Sequence, residues 1–399
     1  MRICLDARCV RRIVTGLGRY AEQLITALAR IDRTTDYVVV LEPDYPGTIV
    51  KQENFSVVRL PGRPDAVWNV LGGAREIRHL NLDIYHSLYH FLPLGIRGRT
   101  VLTLHDLMLI EHPDITFPRR WQGYVVKAYA QVTIKYALRR ADHVIAISQF
   151  TADRARALMN VPVSRMTVIP HGVEDRFLRA GGREEESEAR AIRLPKGPFA
   201  GVKRRPFFLV VGHSKPHKNC ARVVGALALL AERLPEVEVR FVGRGEGYEQ
   251  LRVQAATLGL GSRVHLLRNA PDEGLLALYR EAIALVMPSL VEGFGLPVLE
   301  AQAVGCPVIT SNRGALAETA GDAALLVDPL DSWNIAAAME RVYRDRELRA
   351  SLVERGRIRA EEFTWEKTAA RTRAVYDLLM DHPVATDSAV GNRLSPQVA

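Results

Sequence analysis

Residues 282–311 read "AIALVMPSLVEGFGLPVLEAQAVGCPVITS". The apolar run at 282–287 predicts a buried strand, and the glycine-containing segment after it predicts a loop. The run "LPVLEAQAVG" predicts a helix, in which Pro297 suits the first turn. Gly305 ends this helix and "CPVIT" begins the next strand. A strand, a helix and a second strand in this order are typical of a parallel α/β unit.

The same alternation of strands and helices extends in both directions along the chain. The apolar runs "RICLDAR", "YVVVLEP" and "HVIAIS" lie on the N-terminal side, and "FFLVVG", "EVRFVG" and "AALLVD" lie in the second half. Fully apolar strands that alternate with helices predict parallel sheets covered on both faces. We therefore predict an α/β fold with two tandem Rossmann-like domains that face one another across a cleft.

The chain has 399 residues, which is too long for one ordinary hydrophobic core. Residues 181–206 are rich in Gly, Pro and charge, so we expect them to link a first domain at 1–180 to a second at 207–383. Residues 384–399 are small and polar and are predicted to form a disordered tail. Ligands of open parallel sheets bind beyond the carboxyl ends of the strands, so functional residues are expected there.

Composition excludes several classes of protein. The N-terminus, "MRICLDARCV", lacks the apolar core of a secretory signal, and no stretch approaches the ~18 apolar residues of a membrane-spanning helix. The cysteines lack CxxC spacing, and we predict that they are reduced thiols in or near the core of a cytoplasmic protein. They are Cys4, Cys9, Cys220 and Cys306.

The net charge of +9 is concentrated in the first half of the chain. Residues 1–180 contain 25 Lys and Arg against 17 Asp and Glu, whereas the remaining 219 contain 29 against 28. The chain has no zinc-finger spacing, RNP aromatics or dense basic tract, so no nucleic-acid partner is predicted. A basic first domain suits peripheral contact with an anionic membrane or binding of a phosphorylated acceptor. Scattered, solvated arginines are the alternative interpretation.

Two glutamates lie eight residues apart in the opening stretch. Glu292 falls in the loop at the carboxyl end of the strand, and Glu300 lies about one turn into the helix. The helix N-terminus can bind phosphate, and Gly293 and Gly295 let the backbone approach a ligand closely. A carboxylate there would repel phosphate but accepts hydrogen bonds from hydroxyl groups, as acidic residues do with ribose. The combination predicts a sugar nucleotide, and the alternative is a capped helix with two solvated glutamates.

The segment "EGFGLPVLEA", with "MPSL" before it and "GCPVITSNRGALAE" after it, resembles the signature of retaining GT-B glycosyltransferases of family 4. The resemblance extends from "GLGRY" through "VIPHGVEDRF" to "FTWEKTA". It implies that Glu300 binds the nucleotide ribose and that Glu292 contacts hydroxyls of the donor sugar. It also implies that the backbone amides of Phe294, Gly295 and Leu296 meet the sugar and the phosphate.

A second stretch, "FFLVVGHSKPHKNCARVV" at 207–224, resembles the family's diphosphate-binding loop. Its strand ends at Gly212, and Lys218 matches the lysine that stabilises charge on a departing diphosphate. Many members have an arginine after the glycine where this chain has His213. Lys215 or His217 is the expected substitute, and the alternative is that the positive charge comes from elsewhere. Relatives thought to use GDP-mannose have a similar loop, so the resemblance favours that donor. A solvated surface lysine is the alternative interpretation of Lys218.

A third stretch, "VTGLGRYAEQL" at 14–24, satisfies the G-x-G-x-x-A pattern of nicotinamide dinucleotide sites, and Glu42 ends the next strand. Seven loop residues separate this pattern from its strand, which argues against that interpretation. The stretch resembles the family's loop in which two glycines, here Gly16 and Gly18, bring the first domain to the donor phosphate. Arg19 is then a further candidate cation.

A fourth stretch, "LTLHDL" at 102–107, places His105 and Asp106 at a strand end. A lone histidine is more often a hydrogen-bonded structural residue. The pair matches the family's His-Asp position, which implies that His105 lies near the donor sugar and stabilises charge there. His105, Lys218 and Glu292 are therefore the predicted catalytic residues. No Ser-His-Asp or Cys-His pairing in the sequence supports covalent catalysis.

The long helix predicted at 119–140 carries an apolar stripe for which core packing is the favoured interpretation. The alternative is that the basic residues of this helix face a lipid-linked acceptor or an anionic bilayer. The stripe consists of Trp121, Val125, Ala128, Val132 and Tyr136, and the basic residues are Arg119, Arg120 and Lys127.

The sequence also lacks the DxD pattern with which many transferases bind a metal ion. Lysine, arginine and helix N-termini are expected to neutralise the donor diphosphate, so neither a metal nor another cofactor is predicted. The predicted activity is transfer of a hexose from a sugar nucleotide to a saccharide or lipid-linked saccharide, in cell-surface polysaccharide synthesis. A sugar-nucleotide epimerase of the same fold and a non-catalytic sugar-nucleotide-binding subunit are the alternatives.

Overall fold

The structure is a computed structural model that describes residues 1–11, 15–62, 67–116, 120–181, 205–245, 247–268 and 272–381. The tail predicted at 384–399 and most of the linker predicted at 181–206 lie outside the described residues. The described strands form two separate sheets, and every strand pair in them is parallel. This confirms the prediction of two doubly wound α/β units.

The first sheet has seven strands in the order β3-β2-β1-β4-β5-β6-β7, and the second has six in the order β10-β9-β8-β11-β12-β13. The strands of the first sheet are β1 (Arg2–Asp6), β2 (Asp36–Leu41), β3 (Phe55–Arg59), β4 (Ile84–Ser87), β5 (Arg99–Leu104), β6 (His143–Ala146) and β7 (Met166–Val168). The strands of the second sheet are β8 (Phe207–Val211), β9 (Glu238–Val242), β10 (Val264–Leu267), β11 (Ala284–Met287), β12 (Val308–Ser311) and β13 (Leu325–Val327).

The helices connect these strands and cover both faces of each sheet. Those before β8 are α1 (Gly16–Ile31), α2 (Val67–Ile77), α3 (Met108–Glu111), α4 (Pro113–Thr116), α5 (Arg120–Arg140), α6 (Gln149–Met159) and α7 (Asp175–Ala180). Those after β8 are α8 (Cys220–Leu229), α9 (Gly247–Thr257), α10 (Asp272–Glu281), α11 (Leu296–Ala303), α12 (Gly314–Ala320), α13 (Ser332–Arg344), α14 (Arg346–Glu361) and α15 (Trp365–Asp381). Short 3-10 turns lie at Arg78–Leu80, Val163–Arg165 and Pro216–Lys218.

The strand order of each sheet determines where a ligand can bind. β1 lies between β2 and β4, and β8 lies between β9 and β11, so at both places the strand order reverses although all strands run parallel. A crevice forms at the carboxyl ends of the strands at such a switch point. The loops after β4, β5, β8 and β11 therefore meet at the cleft, and these loops contain most of the predicted site residues.

The last described helix, α15, packs against α1 of the first domain, although the sequence-based division placed it in the second. Trp365, Ala369 and Tyr376 belong to the same buried cluster as residues of β1 and α1. Arg373 Nε also lies 2.9 Å from Asp32 Oδ2 at the end of α1. The chain thus crosses between the domains a second time before it ends.

Loops of the two domains touch directly at the cleft. The Ser148 hydroxyl, which caps α6, donates to the carbonyl oxygen of Gly293 at 2.8 Å. The Glu318 carboxylate on α12 accepts hydrogen bonds from the backbone amides of Gln149 and Phe150, at 2.7 and 2.9 Å. A carboxylate at a helix N-terminus satisfies amides that the helix cannot. The second domain therefore caps a helix of the first.

Core packing was the wrong interpretation for the apolar stripe of α5. Val125 and Val132 are 63% and 72% exposed, because α5 buries a different face. That face consists of Ala130, Thr133, Ile134, Ala137 and Leu138. Arg119 and the side chains of Arg120 and Trp121 lie outside the described residues. None of the described helices is long and apolar enough to cross a membrane.

Candidate active site

The loop between β11 and α11 has the conformation that its sequence predicts. Gly295 caps α11 with φ of +108°, a left-handed conformation, and a Cβ there would lie 2.5 Å from the Leu316 side chain. A Cβ on Gly293 would lie 2.0 Å from the carbonyl oxygen of His105, in the first domain. Gly295 therefore permits close approach of the Leu316 side chain within the second domain, and Gly293 permits close approach of the His105 backbone across the cleft.

The predicted catalytic residues Lys218 and Glu292 form an ion pair, with 2.7 Å between Nζ and Oε1. Lys218 ends the 3-10 turn after β8, and its side chain runs past Gly212, whose added Cβ would lie 3.4 Å from Lys218 Cε. The amide of Leu290 donates to the carbonyl of His217 at 2.7 Å, which joins this turn to the β11 loop. Two segments about seventy residues apart thus place one cation against one carboxylate.

The residues around Lys218 differ in their capacity to carry positive charge. Burial is the main cause that lowers the pKa of His217, to about 4, so His217 is neutral at pH 7. Burial also lowers the pKa of His213, whose Nδ1 lies 3.2 Å from the carbonyl oxygen of Arg244. Lys215 is exposed, and its charge acts on Asp106 across the cleft. Of the two expected substitutes for the family's arginine, Lys215 is therefore the one that is charged.

Arg244 lies beside this loop and was not identified from the sequence. It follows β9, and its carbonyl accepts a hydrogen bond from the Ser214 amide at 3.0 Å. Its neighbour Gly243 has φ of +154°, and a Cβ there would lie 2.0 Å from the carbonyl oxygen of Gly212. The available signal was the "GRGEG" segment after a strand, in which glycines surround a basic residue at a strand end.

Glu300 is buried at the centre of a second charged group. Its Oε2 accepts a hydrogen bond from the Tyr279 hydroxyl at 2.9 Å, and its Oε1 lies 3.3 Å from Arg19 Nη1. Burial raises the pKa of Glu300, whereas the Arg19 charge and the Tyr279 hydrogen bond lower it. Arg19 also lies 3.2 Å from Glu174 Oε1, in the segment that leads into α7. Glu174 and Tyr279 were not identified from the sequence.

His105 is buried, and its Nε2 donates to the carbonyl oxygen of Leu88 at 3.0 Å. Burial lowers its pKa to about 4, so the imidazole is neutral at pH 7 with the proton on Nε2. Its ring meets Tyr20 edge to face, with centroids 4.8 Å apart, and lies 5.6 Å from the ring of His171. His171 in turn lies 4.9 Å from the ring of Phe294, in the β11 loop. His105 and the β11 loop therefore meet through aromatic contacts.

Gly16 and Gly18, the two glycines of α1 predicted to lie near the donor phosphate, differ in the space around them. A Cβ on Gly16 would have no atom within 4 Å, whereas one on Gly18 would lie 3.6 Å from the Cys9 carbonyl oxygen. The Thr15 hydroxyl caps the helix by accepting from the Gly18 amide at 3.1 Å. Glu42, which follows β2, lies 3.8 Å from Arg11.

Comparison with known proteins identifies the family. The profile "Glycosyltransferase Family 4" matches residues 14–177, and "Glycosyl transferases group 1" matches residues 198–359. The chain is 32% identical to a D-inositol 3-phosphate glycosyltransferase of Acidothermus cellulolyticus, over 78% of this chain and 71% of that protein. The chain belongs to glycosyltransferase family 4.

Two further comparisons concern this glycosyltransferase as a whole. It is 27% identical to O-antigen chain mannosyltransferase B of Escherichia coli, over 95% of this chain and all of that protein. Its fold matches sucrose-phosphate synthase of Thermosynechococcus elongatus with a TM-score of 0.74 and 23% identity, over 95% and 99% of the two chains. At that identity the structural match supports the GT-B fold and nothing finer.

The glycosyltransferase brings its predicted site residues together in two groups. One group joins Lys218 to Glu292 beside the loop after β8. The other joins Arg19 to Glu300 across the cleft. Arg19, predicted as a cation for the donor phosphate, thus lies against the carboxylate predicted to bind ribose. Phe294, Gly295 and Leu296 lie between the two groups in sequence, at the start of α11.

Proposed function

We propose that this glycosyltransferase moves a hexose from a sugar nucleotide, with GDP-mannose favoured, to a saccharide or lipid-linked saccharide in cell-surface polysaccharide synthesis, with retention of anomeric configuration. The observation that carries the proposal is the arrangement at α11, where Glu292 and Glu300 flank a helix N-terminus and each faces a cation. The similarity to O-antigen chain mannosyltransferase B supports the choice of sugar and of pathway class.

Each part of a sugar nucleotide has a chemically suitable partner at this site. The first turn of α11 and Lys218 suit the diphosphate, because both present positive charge where the leaving group forms. Lys215 and Arg244 lie on the adjoining loops and add to that charge. Glu300 suits the ribose hydroxyls and Glu292 the sugar hydroxyls, since carboxylates accept hydrogen bonds from both.

His105 suits a neutral role at the sugar rather than a charged one. Its Nε2 proton is committed to Leu88, so Nδ1 is an acceptor at pH 7. Nδ1, at the carboxyl end of β5, can accept a hydrogen bond from a hydroxyl group of the transferred sugar. That bond would orient the sugar toward the acceptor substrate. The departing phosphate is the proposed recipient of the acceptor's proton, because no described residue is placed as an obvious base.

Metal independence stays a prediction. Within the described residues, no group of three His, Cys, Asp or Glu side chains is placed to hold a metal ion. The lysine and arginine side chains and the N-terminus of α11 present the positive charge that a metal would otherwise supply to the diphosphate. Activity in the presence of EDTA tests this directly.

The exposed face of α5 suits peripheral contact with an anionic membrane at its cytoplasmic side. Tyr124, Val125 and Val132 are all more than 60% exposed, and Lys135 and Arg139 lie exposed on the same helix. The sequence of α5 contains five basic residues and no acidic residue. Exposed apolar side chains among basic ones bind an anionic bilayer by insertion and by charge, at about 1 kcal/mol for each basic residue. A lipid-linked acceptor would be presented at that surface.

Thermal unfolding with candidate donors tests the proposed function. GDP-mannose, with EDTA present, is expected to stabilise the wild type by about 2.7 kcal/mol at 100 times its dissociation constant. Glu300→Ala should abolish this shift, while Glu249→Ala, an exposed change on α9, should preserve it. A shift with UDP-glucose instead would correct the donor, and no shift with any sugar nucleotide would refute the proposed donor site. A shift without transfer to any acceptor would favour a non-catalytic subunit. Conversion of the donor sugar without any acceptor would indicate an epimerase.

A further inference from the structure

The two oxygens of the Glu300 carboxylate have different partners, and one of these partners is fixed. Oε2 accepts the hydroxyl of Tyr279, a fully buried residue near the C-terminal end of α10. The Tyr279 ring packs edge to face against Phe177, with centroids 6.1 Å apart, so the phenol cannot turn away without disturbing α7. Burial also raises the pKa of Tyr279, so its hydroxyl remains a donor. Tyr279 therefore holds the carboxylate in one orientation.

The partner of the other oxygen is shared. Arg19 Nη1 lies 3.3 Å from Glu300 Oε1 and 3.2 Å from Glu174 Oε1. Charge-assisted hydrogen bonds are usually about 2.7–2.9 Å long, so neither contact is as short as an exclusive pair would be. Glu174 is itself held by Arg176, whose Nε lies 3.1 Å from Oε2. Glu174 is thus a fixed carboxylate beside the one that faces the ligand.

We propose that Tyr279 and Glu174 are positioning residues for the donor, Tyr279 by orienting Glu300 and Glu174 by holding Arg19. This inference rests on the proposed function, in which Glu300 binds the ribose. A ribose hydroxyl that binds Oε1 must compete with Arg19 for that oxygen. Glu174 keeps Arg19 in place when a ribose hydroxyl displaces it from Glu300 Oε1, so the Arg19 charge stays at the cleft beside the diphosphate.

The alternative is that this group merely stabilises the junction between the domains. The two roles differ in their effect on donor binding. A purely structural group leaves the donor affinity and its dependence on pH unchanged, whereas positioning residues change both, with signs that depend on how each partner acts on Glu300. The Tyr279 hydrogen bond and the Arg19 and Arg176 charges lower the pKa of Glu300, whereas the Glu174 charge raises it. The titratable groups around the carboxylate are Arg19 on α1, Glu174 and Arg176 at α7, Tyr279 on α10 and Cys306 before β12.

The test is the affinity for GDP-mannose between pH 4.5 and 8, measured by calorimetry. The diphosphate of GDP-mannose does not titrate in this range, whereas His105 and His217 begin to do so at its acid end. The part of the loss of affinity on acidification that Glu300→Gln removes therefore reports the protonation of Glu300. The acid limb is the fall in affinity as the pH decreases. Tyr279→Phe is expected to weaken binding about fivefold at pH 8 and to move the acid limb to higher pH. Glu174→Gln is expected to weaken binding roughly two- to fivefold and to move the acid limb to lower pH. Glu174→Asp, which keeps the charge, should move the limb back toward the wild-type position.

A matched control is Tyr37→Phe, since Tyr37 is also buried and donates to a carboxylate, Asp32, at 3.0 Å within the first domain. It should leave both affinity and acid limb unchanged. The Tyr279→Phe penalty should also vanish in a Glu300→Gln background, because Tyr279 acts through that residue. Equal curves for Tyr279→Phe and Tyr37→Phe, or limb shifts of the same sign for Tyr279→Phe and Glu174→Gln, would overturn the inference. A wild type that binds no sugar nucleotide would instead refute the proposed function.

Discussion

Lys218 and Glu292 form an ion pair across two loops of the second domain, with 2.7 Å between Nζ and Oε1. Neither side chain is fully buried, so both can exchange this contact for a ligand. A sugar nucleotide would separate their roles, the lysine facing the diphosphate and the glutamate facing the sugar hydroxyls. In the proposed function, the pair therefore holds the cation that would face the leaving group beside the carboxylate that would bind the sugar.

Lys218→Ala is expected to lower kcat by about 10²–10³, because it removes a cation aimed at charge that develops only in the transition state. Initial rates of mannose transfer from GDP-mannose would measure this. Lys367→Ala serves as the control, since Lys367 binds the carbonyl oxygens of Glu361 and Glu362 at the end of α14. A KM increase with unchanged kcat for Lys218→Ala would limit the lysine to ground-state binding.

Gly293→Ala is expected to reduce both stability and activity. Its Cβ would lie 2.0 Å from the backbone carbonyl oxygen of His105, so one of the two domains must move. Overpacking of this kind typically costs about 1–3 kcal/mol. Urea denaturation and transfer rates would measure the two effects. Gly261→Ala, where a Cβ would meet no atom within 4 Å, is the matched control. Similar behaviour of the two variants would show that the domains do not close on Gly293.

The fold was largely predictable because its signals are local. Apolar runs, Pro297 at a helix start and Gly305 at a helix end specify strand and helix without reference to distant residues. The crossing of α15 was not predictable in this way. Its apolar face, which includes Trp365 and Tyr376, packs on the first domain, and periodicity does not reveal which sheet a helix will cover.

The grouping of the candidate site residues was predictable where chemistry is concentrated at one strand end. Glu292, Glu300 and Lys218 met that condition, whereas Tyr279 did not, because it lies within a helix twenty-one residues before its carboxylate. The two apolar faces of α5 illustrate the same limit. Its Ile134 face is buried and its Val132 face is exposed, although either would suit a core.

Acidification is expected to destabilise the protein through buried histidines near the cleft. Burial lowers the pKa of His86 and His90 to about 3 and of His105 to about 4, and that of His171 falls well below 6.5. Each histidine is neutral when folded but takes up a proton near pH 6.5 when unfolded. Their contribution to stability is therefore complete above pH 6.5 and falls as the pH drops from 6.5 toward 3.

His90→Gln tests this dependence on pH. Neither His90 ring nitrogen has a hydrogen-bond partner among the described residues, so the substitution removes a proton site without breaking a bond. The slope of unfolding free energy between pH 7 and 5.5 should fall by up to ~1.4 kcal/mol per pH unit. Urea denaturation at several pH values measures it, with His79→Gln on the surface as the control. An unchanged slope would show that His90 keeps an ordinary pKa.

Substitution on α5 should separate membrane contact from catalysis. Val132→Glu places a charge on the exposed apolar face and is expected to reduce flotation with phosphatidylglycerol vesicles by tenfold or more, an increase of about 1.4 kcal/mol in binding free energy. Transfer to a water-soluble acceptor should be unaffected, because Val132 is 72% exposed and contributes nothing to the core.

Val253→Glu is the matched control for this prediction, since Val253 is 55% exposed on α9 of the second domain. It should bind vesicles as the wild type does. Lys135→Glu should weaken binding to phosphatidylglycerol vesicles at low salt. In 1 M salt, Lys135→Glu and the wild type should bind equally, because screening removes the electrostatic part of the binding. Equal binding by all of these variants would exclude α5 as the membrane-facing surface and leave the basic charge of the first domain to a soluble, phosphorylated acceptor.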